Sequence, residues 1–269
     1  MSINDYETLC MQVCDLCEKT GIYLRTECQK FSTDMIEMKG HNDFVSTVDK
    51  EAERRLVKGL SSLFPDSGFI TEEGTTEKLV KEYTWIIDPL DGTTNFIHGV
   101  PCYSISIALH HLDQPVIGVV YEVNQKECFY TWNGGVSYMN GKIIRVSKTS
   151  QLSESLIVTG FPNRYYEHIE AYMALLGELM FDTHGIRRFG SAAVDLAYVA
   201  CGRCEAFYEY GLSPWDVAAG AFIVQNAGGT VSDFEGTEGF VFDKTIMASN
   251  GSIHEQLLKK LQEHFKKSR

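Results

Sequence analysis

The stretch Trp85-Ile86-Ile87-Asp88-Pro89-Leu90-Asp91-Gly92-Thr93-Thr94 sets two aspartates at the end of an apolar run and follows them with a glycine and two hydroxyls. A strand ending at Asp88 places that carboxylate at the carboxyl edge of a sheet, where the ligand crevices of α/β folds open. Pro89 fixes the backbone and removes a donor, so Asp91 can turn back toward the same point. Two carboxylates held together repel unless protons or cations neutralise them, and a donor set made only of oxygen suits Mg²⁺. Gly92 lets the backbone approach a ligand closely. If a helix begins there, its first amides form an anion site, with phosphate as the natural occupant. Carboxylates for a metal beside amides for a phosphate describe a metal-dependent phosphoryl-transfer site.

Three more acidic positions stand out: Asp49 in DFVSTVDKEAE, the Glu72-Glu73 pair in FITEEG and Asp216 in LSPWDVAAG. Each also has an ordinary structural reading. Asp49 suits the first turn of a helix, Glu72-Glu73 a solvated turn before Gly74, and Asp216 the N3 partner of Ser213 with Pro214 at N1. The motif differs from the D-x-D-G-T of haloacid-dehalogenase phosphatases. Two residues separate the acids here and Pro89 stands at the nucleophile's place, which argues against a phosphoaspartyl mechanism.

The elements that must hold these residues follow from periodicity. Apolar groups at helical spacing predict a helix over 4–30, and a second over 46–63 is closed by Pro65. A strand over 83–87 leads into the aspartates. Strands are predicted at 103–110, 115–121, 127–132 and 142–147, with a hairpin turn at Asn140-Gly141. Helix and strand then alternate: strand 155–159, helix 165–180, strand 184–189, helix 191–201, strand 204–210 and helix 214–227. A strand at 246–249 and a helix at 252–266 follow. This change of rhythm suggests a boundary near 150. It separates an α+β half (1–150) carrying most of the acids from an α/β half (151–269), with both packed as one catalytic unit.

A net charge of −12 argues against nucleic acid as the main partner. It is compatible with a small phosphorylated substrate, because metal ions supply positive charge locally. No apolar run reaches membrane-spanning length, and the first residues do not read as a secretory signal, so a cytoplasmic protein without a membrane partner is expected. Eight cysteines include the CxxC pairs Cys14/Cys17 and Cys201/Cys204. Cys10, Cys14 and Cys17 share one helical face, which favours buried thiols over a zinc or redox site.

The ordered motifs Asp49, Glu72-Glu73, Asp88-Pro89-Leu90-Asp91-Gly92-Thr93 and Trp215-Asp216 resemble those of the inositol monophosphatase family, within the Mg²⁺-dependent, lithium-sensitive phosphatase superfamily. KGHNDFVSTVDKEAE near the start and GSAAVDLAYVACGRCEAFYEYGLSPWDVAAGAFIVQNAGG in the C-terminal half extend the resemblance over most of the chain. It implies a layered αβαβα fold shared with fructose-1,6-bisphosphatase, and a homodimer. It implies that Glu72, Asp88 and the Leu90 carbonyl hold one Mg²⁺, that Asp88, Asp91 and Asp216 hold a second, and that Glu72 contributes to a third, weaker site, with Mn²⁺ able to substitute. Glu72 and Thr93 would position the attacking water, with Asp49 supporting Thr93. Gly92 and Thr93 would contact the phosphate. Asp91, the Gly190-Ser191-Ala192 backbone and Glu209 would face the rest of the substrate, and Lys39 would lie near a mobile loop.

The implied activity is hydrolysis of small phosphate monoesters of polyols or sugars, with myo-inositol monophosphate first. Fructose-1,6-bisphosphatase, histidinol-phosphatase, NADP phosphatase and 3′-phosphoadenosine nucleotidase are the alternatives within the superfamily. A regulatory binding protein on the same scaffold is the alternative outside enzymology. Two departures from the pattern stand out: Thr71 occupies the place before the Glu-Glu pair where glycine is usual, and Gly160-Phe161-Pro162-Asn163-Arg164 falls in a variable, substrate-facing region.

Overall fold

A computed structural model describes residues 3–30, 36–40, 43–161 and 167–265, with only the backbone path for 3–4, 36–40 and 43–46. The elements in chain order are α1 (Ile3–Cys28), β1 (Ile36–Gly40), β2 (Asp43–Ser46), α2 (Thr47–Leu63), β3 (Gly68–Thr71), β4 (Tyr83–Asp91) and α3 (Thr93–Ile97). Next come β5 (Ser104–His111), β6 (Gln114–Glu122), β7 (Glu127–Trp132), β8 (Tyr138–Met139), β9 (Lys142–Ile143) and β10 (Leu156–Thr159). The chain continues through α4 (Ile169–Asp182), β11 (Gly185–Arg187), α5 (Ala192–Ala200), β12 (Ala206–Tyr210), α6 (Pro214–Asn226), β13 (Thr230–Ser232), β14 (Thr245–Ser249) and α7 (His254–Phe265).

Strand alternation builds the layers. A seven-stranded sheet runs β3-β4-β5-β6-β7-β8-β9, and a five-stranded sheet runs β11-β10-β12-β14-β13. In β4, Trp85 and Ile87 pack with Val13, Leu56 and Leu60 of α1 and α2, while Ile86 joins α5 and α6 on the opposite face. In the smaller sheet, Val158, Phe207 and Ala248 turn toward α5 and α6, and Ile157, Tyr208 and Met247 turn toward α4 and α7. The result is the αβαβα sandwich: α1 and α2, the large sheet, α5 and α6, the small sheet, α4 and α7. Every residue of α5 is buried, as expected for a helix that is apolar nearly all round. Each large side chain taken fully into these layers stabilises the fold by about 1.5–3 kcal/mol. Cys10, Cys14 and Cys17 lie buried in the outer core beneath α1.

Three differences from the predicted elements bear on the site. The strand expected over 83–87 continues to Asp91, with its pairing to β5 shifting register between Asp88 and Asp91. A bulge accommodates Pro89, which has no N–H for the ladder. The strand expected over 142–147 is only the second arm of a short hairpin turning at Asn140 (φ 49°) and Gly141 (φ 78°). Strand β3 was not predicted, the short helix α3 was raised only as a condition after Gly92, and both border the aspartates.

Candidate active site

Strands β3 and β4 run parallel, with Thr71 opposite Ile87. Their carboxyl ends lie side by side, so the next residues, Glu72 and Asp88, leave the sheet together. The Glu72 amide donates to the Ile87 carbonyl at 3.2 Å, and the Glu72 and Asp88 carboxyl groups are close enough to shift each other's pKa. The turn after β3 is held by buried Glu53 of α2. Its carboxylate accepts from the Thr71 hydroxyl (3.0 Å), the Glu73 amide (2.7 Å), and the amide and hydroxyl of Thr75 (both 2.7 Å). Thr71 therefore contributes a hydroxyl to this network.

Carboxylate oxygens from Asp88, Asp91 and Asp216 lie within 4.8 Å of one another. Each of the three residues also commits one oxygen to a backbone amide. Asp88 Oδ1 accepts from the Leu90 N–H at 2.8 Å. Asp91 Oδ2 accepts from the Ala193 N–H at 2.7 Å and from the Ser191 hydroxyl at 2.6 Å. Asp216 Oδ2 accepts from the Ser213 N–H at 2.7 Å. The ordinary capping reading of Asp216 and its place in the cluster are thus both present.

Two glycine turns bring the halves of the site into contact. Gly92 (φ 97°) and Gly190 (φ 94°) both occupy the left-handed region that favours glycine. A Cβ on Gly92 would sit 3.1 Å from the Gly190 carbonyl. Asn95 of α3 staples the contact, donating from Nδ2 to the carbonyls of Cys102 and Phe189, both at 2.7 Å. Helix α3 begins at Thr93, where the first amides of a helix have no carbonyl of their own to bond.

Above these turns lies a cavity of about 370 Å³. Of the predicted site residues, Glu72, Asp91, Gly92, Thr93, Asp216, Gly190, Ser191, Ala192 and Glu209 line it. Asp49, Asp88 and Leu90 are buried and are not part of its lining. The Thr93 hydroxyl donates to the Leu90 carbonyl at 3.0 Å, and the charge of buried Asp49 is among those that raise Glu72. The side chain of Lys39 and residues 162–164 of the predicted substrate-facing stretch lie outside the described residues.

The cavity's electrostatics are dominated by carboxylates. Burial, then the charges of Asp216, Glu73 and Asp49, push Glu72 well above the ordinary carboxylate range. Burial, then Glu72, Asp91 and Asp216, do the same to Asp88. Asp91 is raised to about 6 by burial, against the lowering effect of its bonds to Ser191 and Ala193 and of Arg188. Burial also raises Glu209, with Asp216 and Asp91 adding to it and Arg188 opposing.

The profile of the inositol monophosphatase family matches residues 5–266. The chain belongs to the inositol monophosphatase family. It is 40% identical over 242 residues to the inositol-1-monophosphatase of Mesorhizobium japonicum, covering 90% of this chain and 91% of that protein. It is 42% identical over 234 residues to the Nus factor SuhB of Pseudomonas aeruginosa, covering 85% and 86% of the two chains. Its fold matches the crystal structure of the extragenic suppressor protein suhB from Bartonella henselae with a TM-score of 0.88, at 37% identity over 94% of this chain and 98% of that one.

Within this inositol monophosphatase scaffold the donor set suits a hard divalent cation. The converging atoms are all oxygens, and a cation would offset both the burial and the mutual repulsion that raise Glu72 and Asp88. Sequence reasoning missed three residues that shape the site. Glu53 looked like one more charge on a solvated helix face, and Asn95 like an ordinary polar residue. Asp195 had a visible signal, a single acid inside the apolar run Ala192-Ala193-Val194-Asp195-Leu196-Ala197.

Proposed function

We propose that the chain is a Mg²⁺-dependent phosphatase of small phosphate monoesters, with myo-inositol monophosphate as its preferred substrate. The observation that carries this reading is the convergence of Asp88, Asp91 and Asp216 within 4.8 Å, beside the Gly92 turn. In this reading Glu72, Asp88 and the Leu90 carbonyl hold one ion, Asp88, Asp91 and Asp216 a second, and Glu72 contributes to a weaker third. Bound there, divalent cations supply the Lewis acidity that makes water a nucleophile near neutral pH and neutralises phosphate charge.

The chain's own residues do the rest. The amides of Gly92 and Thr93 orient the phosphate. Glu72 and the Thr93 hydroxyl align the attacking water, with Asp49 supporting Thr93. The Gly190-Ser191-Ala192 backbone and Glu209 receive the alcohol half. Residues 1–150 and 151–269 act as one catalytic unit, since Asp91 is fastened to Ser191 and Ala193. The name of the Mesorhizobium relative supports inositol as the alcohol. Exposed Met173, Met180 and Phe181 on α4 support a homodimer, because a second copy would cover them.

The test is a panel of phosphate esters assayed with Mg²⁺ and with excess chelator. Inositol monophosphate is expected to lead the panel, and all turnover to vanish without the metal. Undiminished turnover in chelator would end the metal reading, and preference for a bisphosphate or nucleotide would end the inositol reading. A second role as a Nus factor is favoured by the name of the 42% identical Pseudomonas relative. It predicts a stoichiometric macromolecular partner in pull-downs that a catalytically dead variant still recovers.

A further inference from the structure

Helix α5 carries one charged side chain, Asp195, among Ala, Val, Leu and Tyr. Asp195 is 1% exposed, and its Oδ1 is sealed from water with no hydrogen-bond partner among the described residues. A carboxylate in that position costs stability unless something donates to it. Capping does not account for it, because the helix start is already served. The Ser191 hydroxyl accepts from the Val194 amide at 3.3 Å, and Asp91 takes the Ala193 amide.

Asp195 nevertheless lines the cavity, beside Glu209. Burial, then the charges of Glu209 and Asp91, raise its pKa, and Arg188 lowers it. Arg188 is exposed, lies with its guanidinium carbon 5.7 Å from the centre of the Phe161 ring, and makes no ion pair with either acid among the described residues. It therefore balances their charge at a distance without filling their acceptor sites.

We propose that Asp195 is a second hydroxyl-binding residue, which with Glu209 forms a pair of acceptors for neighbouring hydroxyls of the substrate's alcohol half. Two carboxylates suit a polyol, whose adjacent hydroxyls each have a proton to donate. A phosphate ester without those hydroxyls leaves both acids without donors. The inference rests on the reading of this part of the cavity as the seat of the alcohol.

The experiment compares Asp195→Ala, Asp195→Asn and Glu209→Ala, using myo-inositol monophosphate and 4-nitrophenyl phosphate with Mg²⁺, and thermal unfolding of each variant. For Asp195→Ala the ratio of the two kcat/KM values should fall by about 10–100-fold toward the aryl ester. Its Tm should hold or rise, because an uncompensated buried acid is gone. Asp195→Asn keeps a carbonyl acceptor and should recover part of the ratio. An unchanged ratio in Asp195→Ala alongside a selective loss in Glu209→Ala would overturn the role of Asp195 alone. An unchanged ratio in both would overturn the polyol reading of this part of the cavity. A lowered Tm with equal loss on both substrates would make Asp195 structural.

Discussion

Two groups of acids around the cavity are built on opposite plans. In the first group, Asp88, Asp91 and Asp216 each rest one oxygen on a backbone amide, at 2.7–2.8 Å. Their orientation is set before any ligand arrives. In the second group, no protein donor bonds the Glu209 or Asp195 side chain among the described residues. The first plan suits an ion, which needs ligands fixed in number and direction. The second suits a molecule that brings its own donors. One group is preorganised for charge, and the other leaves room for selectivity.

The sharpest way to break this contrast is in the anchored group. Asp91→Asn replaces a charged oxygen with a neutral amide and disturbs the bonds to Ser191 and Ala193. Turnover of every ester should fall by about 100-fold or more, roughly 2.7 kcal/mol of barrier, while circular dichroism stays native. Near-normal rates in the folded variant would reduce Asp91 to a fastener of α5.

A smaller and more selective effect is expected in the other group. A Cβ at Gly160 would overlap the Glu209 carboxylate. Gly160→Ala should therefore push that carboxylate aside and lower the preference for inositol monophosphate over an aryl phosphate by about 5–10-fold, on the order of one hydrogen bond. An unaltered preference would mean that the position of Glu209 does not matter to the alcohol.

The smallest effect tests the aspartate cluster by pH and added cation. A group whose pKa is higher in the folded chain favours folding while it is protonated, and that contribution is lost as pH rises through the folded value. Asp91 moves from 3.8 to about 6, and Glu72 and Asp88 are displaced in the same direction. Without metal, the cluster should therefore cost stability progressively as pH rises through about 6. Mg²⁺ should raise Tm by a few degrees, more at about pH 7.5 than at about pH 5, because only ionised carboxylates hold it tightly. An equal shift at both values would show that the cation does not act through these acids.

Much of this was legible because the chemistry is local in sequence. Asp88, Asp91 and Gly92 sit within five residues, and the bulge at Pro89 follows from a missing N–H. Alternation and helical spacing were enough to anticipate most of the elements, while the layered order was implied by the family resemblance. The juxtapositions were not legible. Glu72 meets Asp88 through the register of β3 on β4, and β3 is too short for its own periodicity to announce it. Glu53 is separated from Thr71 by 18 residues, and Asn95 from Phe189 by 94. Nothing in either neighbourhood marks its partner. Asp195 could have been found by asking why an alanine-rich helix tolerates one acid.

The contact between the Gly92 and Gly190 turns has a consequence for the order in which the molecule comes into being. The bonds from Ser191 and Ala193 to Asp91 bridge 100 and 102 positions of chain. During synthesis, strand β4 leaves the ribosome long before α5 can reach it, and Asp216 follows later still. The nascent N-terminal half therefore displays its acids without the clamp that aims them. Contacts so distant along the chain close late in folding. The three aspartates are thus brought together near the end of maturation, by the docking of the two sheets rather than by the formation of either.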